Sequence, residues 1–215
     1  MIRAILFDLD GTLVDRDGAL RRYALDLFDR HPETFPPGRR DRDLASLIDG
    51  SVRDRRQLAR RVAAAYPGLD TARDLESDMA RRLPTFIEPD PELNRLLDRL
   101  ATRYTLAVVS NGAGPLQFAK LAAAGLAGRI DGVFVSGMVG VGKPDPRSFL
   151  RALDWARVTP KAALFVGDDP VADIAGAARV GMKTCWVSRG RVYPEGPPRP
   201  DMTIDNVRAL PEALT

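Results

Sequence analysis

Apolar positions follow two rhythms along the chain. Ile2, Ala4, Ile5, Leu6 and Phe7 form a near-continuous run, and similar runs occupy 106–109, 132–135, 163–166 and 184–187. Runs of this length without alternation predict strands buried on both faces. Between residues 16 and 83 the spacing is instead helical. Leu20, Tyr23, Ala24, Leu27 and Phe28 recur at intervals of three and four until Pro32, Pro36, Pro37 and Gly38 interrupt them. Leu44, Leu47 and Ile48, then Leu58, Val62 and Tyr66, then Leu75, Met79 and Leu83 repeat the pattern. Four short helices each need a partner for their apolar stripe, so 16–84 is expected to form a small all-helical domain inserted after the first strand.

After Pro84 strand, turn and helix alternate. Asp90-Pro91, Gly114-Pro115, Asp145-Pro146 and Asp169-Pro170 each open a helical pattern, because proline at the first helical position loses no hydrogen bond and an aspartate before it caps the free N–H groups. Alternation of this kind predicts an α/β core, a doubly wound parallel sheet assembled from 1–15 and 85–215. A last helix is expected through Val207, Leu210 and Leu214, with the Pro- and Gly-rich stretch 188–201 as a linker to it.

Composition narrows the function classes. The 215 residues are 45% hydrophobic, enough for a sizeable core. The net charge is only +3 with acids interleaved among the bases, so no concentrated basic face for nucleic acid is expected. Cys185, the single cysteine, excludes an intrachain disulfide and a multi-cysteine metal site. A single histidine, His31, argues against a Ser-His-Asp triad or a multi-histidine metal site. No apolar run approaches the roughly 18 residues of a membrane span, and a core strand begins at residue 2. A soluble, cytoplasmic protein with no membrane or nucleic-acid partner is the expectation; the sequence is silent on oligomeric state.

In doubly wound sheets ligands bind at the carboxyl ends of the strands, and those exits carry the polar residues. The first is Asp8-Leu9-Asp10-Gly11-Thr12. Two carboxylates on one side of an extended chain repel unless a cation or proton lies between them. The second is Ser110-Asn111-Gly112, either a polar turn or, with a hydroxyl and backbone amides ahead of a helix, a phosphate-oxygen binder. The third is Gly142-Lys143-Pro144, which holds a point positive charge on a constrained backbone. The fourth, Gly167-Asp168-Asp169-Pro170-Val171-Ala172-Asp173, places three acids within six residues, a plausible site for Mg²⁺, which prefers a few hard oxygens. Asp169 is aptly placed as a helix cap.

Taken in order, these strings resemble the four motifs of the haloacid dehalogenase superfamily, and the helical insert lies where its subfamily I carries a helical cap. The resemblance implies a Rossmann-like core and a Mg²⁺-dependent phosphomonoester hydrolase acting on a nucleoside monophosphate or sugar phosphate. It further implies Asp8 as nucleophile forming an aspartyl-phosphate, and Asp10 as general acid and base, held protonated before attack by shielding from water. Lys143 and Ser110 would join the catalytic set, with Thr12, Ser110, Asn111, Gly112 and Lys143 binding phosphate. The metal would be held by Asp8, the backbone carbonyl of Asp10, Asp168, and Asp173 directly or through water. The cap is expected to hinge near 15–18 and 84–91. A phosphoglucomutase-like phosphoryl transferase is the alternative; a 2-haloacid dehalogenase, whose members lack the acid at the position of Asp10, and a non-catalytic phosphate-binding protein are further ones.

Overall fold

A computed structural model of the chain describes residues 1–48 and 54–214. In chain order the elements are β1 (Ala4–Phe7), α1 (Arg16–Arg30), α2 (Arg40–Leu47), α3 (Arg55–Ala65), α4 (Ala72–Arg82), α5 (Pro91–Ala101), β2 (Thr105–Ser110), α6 (Gly114–Ala123), β3 (Gly132–Val135), α7 (Ser136–Val139), α8 (Pro146–Ala156), β4 (Ala163–Gly167), α9 (Gly176–Arg179), β5 (Lys183–Val187), β6 (Met202–Ile204) and α10 (Leu210–Ala213). The chain divides into two compact units, Met1–Val14 with Pro89–Thr215, and Asp15–Glu88.

The first unit is a six-stranded sheet in the order β3-β2-β1-β4-β5-β6, parallel throughout. Ala4 and Leu6 of β1 pack with Ala107 and Val109 of β2, Phe165 of β4 and Phe149 of α8. The alternate residues Ile5 and Phe7 are equally buried, so both faces of the central strand are covered, as its unbroken apolar run requires. From β1 the chain builds outward through β2 to β3 and then returns to place β4 on the other side of β1. That reversal opens a crevice beyond the carboxyl ends of β1 and β4. Phe7 pairs with both Val108 and Val166, which brings the three exits after β1, β2 and β4 to nearly the same level.

Helix entries follow from the chain's own capping residues. Asp90 accepts from the N–H groups of Glu92 and Leu93, Asp145 from Arg147, and Asp169 from Val171 and Ala172. Each such cap is worth about 1 kcal/mol. After Asp169 the backbone first makes a widened, π-type turn, Pro170–Ala175, before α9.

The second unit is helical. Tyr23, Leu27 and Phe28 of α1 meet Leu44, Leu58, Val62, Leu75 and Met79. The Phe35 ring lies 4.3 Å from Phe28 and 4.7 Å from Tyr66. Asp78 is buried there and accepts from the Tyr23 hydroxyl, Arg30 and Arg81, so its charge is matched where it sits.

One expectation is corrected by the fold. The segment 188–201 does not run straight to a final helix: Met202–Ile204 adds β6 at the edge of the sheet, beside β5. Three residues with one polar position are too short a run to stand out by periodicity. Among the described residues no helix is long and apolar enough to cross a membrane.

Candidate functional site

The residues at the strand exits lie within the first unit and converge. Asp8 follows β1 directly, its N–H donating to the Val166 carbonyl at 2.9 Å, so the sheet ladder itself orients the residue. Gly11 then turns the chain at φ 87°, and a Cβ there would stand 2.8 Å from Asp168 Oδ2. Conformation and space therefore both demand glycine. The turn closes as Gly11 donates to the Val14 carbonyl and Leu13 and Val14 donate to that of Leu9.

Carboxylate oxygens of Asp8, Asp168 and Asp173 all lie within 4.8 Å of one another, and all three residues are buried. Lys143 Nζ sits between two of them, 2.5 Å from Asp8 Oδ1 and 2.8 Å from Asp173 Oδ1. The lysine loop is braced by Asn111, whose side chain accepts from Lys143 N and donates to Lys143 O, both at 2.8 Å. Asp173 Oδ2 accepts from Asp169 N, which fixes the carboxylate against the β4 exit.

Burial dominates the electrostatics. It pushes the Asp8 carboxyl up to about 7, against the pull of Lys143 and with a further push from Asp173. It raises Asp173 as well, again with Lys143 pulling the other way. Burial also works against the Lys143 ammonium, yet Asp173 and Asp8 hold it above its ordinary value. The lysine is thus a fixed cation, and once both carboxylates beside it are ionised they carry more negative charge than one lysine balances. Three buried hard-oxygen donors with surplus negative charge fit a divalent cation such as Mg²⁺.

The remaining predicted residues are placed as follows. Ser110 ends β2, buried, with its hydroxyl 2.7 Å from Gln117 Nε2. The N–H of Gly112 donates to Ser136 Oγ at 2.9 Å, so an incoming phosphate would compete for it. Thr12 Oγ1 is buried without a hydrogen-bond partner. Asp10 lies outside the acid cluster. Both its carboxylate oxygens are held by Lys120 Nζ, at 2.7 and 2.6 Å, and Oδ2 also accepts from Gln117 at 3.0 Å. A cation and an amide thus meet the Asp10 carboxylate, whose side chain is 21% exposed.

Three functional neighbours escaped the sequence reading. Gln117 and Lys120 are two, and their buried positions on the helix face that also buries Leu121 are the available signal. The third is Arg191, from the stretch expected to be a mere linker. Its Nη2 reaches Asp168 Oδ2 at 3.1 Å and the Asp168 carbonyl at 3.0 Å, with the guanidinium 5.8 Å from the Trp186 ring.

The chain is similar to several known proteins. A phosphoserine phosphatase of Thermus thermophilus is 42% identical over 138 residues, an overlap spanning 62% of this chain and 53% of that protein. A glyceraldehyde 3-phosphate phosphatase of Methanopyrus kandleri is 31% identical across 98% of this chain and 96% of its own. Among solved structures, a 2-haloacid dehalogenase of Pseudomonas syringae pv. tomato is 31% identical, covering all of this chain and 98% of that one with a TM-score of 0.66. The family of haloacid dehalogenase-like hydrolases matches residues 2–181, which include every strand exit described above, and the chain belongs to that family.

Proposed function

We propose that this hydrolase is a Mg²⁺-dependent phosphatase of small phosphorylated metabolites, working through an aspartyl-phosphate on Asp8. The observation that carries the reading is the buried Asp8 carboxylate at the β1 exit, with Lys143 at 2.5 Å and Asp168 and Asp173 beside it. Asp8, Asp168, Asp173 and the Asp10 carbonyl would hold the metal, which when bound neutralises charge on the phosphoryl group.

A carboxylate oxygen of Asp8 attacks phosphorus in line, the bond to the leaving oxygen breaks, and that oxygen takes a proton from Asp10. Lys143 offsets charge on the phosphoryl oxygens throughout, while the Ser110 hydroxyl and the amides following it orient them. Asp10, now a carboxylate, takes a proton from water, whose oxygen attacks the phosphorus of the acyl phosphate. Inorganic phosphate leaves and Asp8 is restored. Asn111 acts by bracing the Lys143 loop, and the helical unit is assigned the role of a cap that governs which phosphomonoester is accepted.

One observation favours a second reading, since a haloacid dehalogenase shares 31% identity over the full chain. There a carboxylate attacks carbon and displaces halide. The three-acid cluster and Asp10 favour phosphorus as the electrophile. The test is phosphate release from a panel containing phosphoserine, glyceraldehyde 3-phosphate, nucleoside monophosphates and sugar phosphates, with Mg²⁺ and with chelator, beside halide release from 2-haloacids. Metal-dependent phosphate release that is absent in Asp8→Asn is expected. Halide release without phosphate release would overturn the reading, and turnover of a sugar monophosphate that requires a bisphosphate activator would identify the mutase instead.

A further inference from the structure

We propose that Lys120 and Gln117 are the positioning residues for Asp10, a reading that rests on the acid and base role given to Asp10 above. The two side chains stand three residues apart on α6, hence on one face of the helix. They are 7% and 1% exposed, where an unpaired ammonium or amide would be strongly unfavourable. Both are directed at the same target. Lys120 Nζ bridges the two Asp10 oxygens, and Gln117 Nε2 lies within 3.1 Å of Asp10 Oδ2, Ser110 Oγ and the Asn111 carbonyl.

The consequence is geometric. Asp10 sits on the turn rather than on a strand, and Gly11 after it adopts φ 87°, so the backbone alone leaves the carboxylate free to rotate about two bonds. Lys120 removes that freedom, and Gln117 ties the carboxylate to the hydroxyl that ends β2. The clamp sets the distance between the proton-transferring group after β1 and the phosphate-orienting group after β2 through one rigid helix. An Asp10 carboxylate misplaced by about 1 Å would cost the step about 10²-fold.

The test compares alcohol release in a single turnover of the Mg²⁺-loaded enzyme, using an alkyl phosphate and p-nitrophenyl phosphate, whose leaving group needs little protonation. Lys120→Met is expected to slow the alkyl phosphate about 10²-fold and the nitrophenyl ester by less than about 3-fold, with the half-saturating substrate concentration unchanged. In an Asp10→Asn background, Lys120→Met should cost nothing further, because Lys120 acts only through Asp10. Gln117→Leu, which also releases Ser110, should slow both esters but the alkyl phosphate the more, and serves as the probe should Lys120→Met fail to fold, as judged by its thermal melt. Equal losses on both esters, or losses that add in the double variant, would overturn the clamp. Equal losses on both esters in Asp10→Asn itself would instead refute the acid role of Asp10.

Discussion

Replacing Lys143 by methionine removes the one cation between two buried acids while keeping most of the side-chain volume. In the wild type Lys143 Nζ lies 2.5 Å from Asp8 and 2.8 Å from Asp173, with all three side chains nearly or fully inaccessible. Removing one partner of a buried ion pair costs about 3–5 kcal/mol, because the other charge is left uncompensated. For a chain of this size, each kcal/mol corresponds to about 2–4 °C in Tm. The metal-free variant should therefore melt about 6–20 °C below the metal-free wild type at pH 8. The penalty should shrink on acidification. Burial already raises Asp8 to about 7 and raises Asp173, and without the lysine both rise further. A carboxyl whose pKa is raised on folding stabilises the folded state below its unfolded value of 3.8, and that stability is lost as pH rises through the folded value. At pH 5 the acids take up protons and the difference in Tm narrows. Scanning calorimetry in chelator at both pH values decides the matter. A shift below about 2 °C at pH 8, or the same shift at both pH values, would refute the electrostatic account of the cluster.

Two further outcomes follow from the site's geometry. Arg191→Ala removes a half-exposed guanidinium from Asp168 Oδ2, so Mg²⁺ should bind about 2–5-fold more tightly by titration calorimetry; weaker binding would show that Arg191 supports the metal site instead. Gly11→Ala must place a Cβ 2.8 Å from Asp168 Oδ2 at a φ of 87°, and should lower stability by about 1–3 kcal/mol in urea unfolding with loss of turnover; an active variant of wild-type stability would contradict the turn's strict demand.

Much of the core was legible because its determinants are local. Unbroken apolar runs such as Ile5–Leu6–Phe7 announce strands buried on both faces, and Asp90-Pro91, Asp145-Pro146 and Asp169-Pro170 mark helix entries by capping chemistry that needs no tertiary context. The four strand exits followed from there, since ligands gather where parallel strands end. Features that depend on non-local geometry were not readable. Gln117 and Lys120 look like solvated helix residues until α6 is docked, when they are buried and Phe118 beside them is 43% exposed. Arg191 lies in a Pro- and Gly-rich stretch whose path is set by β6 pairing with β5, and no periodicity foretells that it turns back to Asp168. That Asp10 meets Lys120 was unreadable for the same reason: the partner lies 110 residues away on another element.

Covalent catalysis by Asp8 is tested by trapping the intermediate. The enzyme would be mixed with a substrate identified in the panel and Mg²⁺, quenched in acid and reduced with borohydride, which converts an acyl phosphate to the alcohol, and the peptides mapped by mass spectrometry. Reduction of Asp8 to homoserine is expected, dependent on substrate and absent in Asp8→Asn, which should also release no phosphate. Phosphate release undiminished in Asp8→Asn, or turnover with the trapped group on another residue, would contradict it.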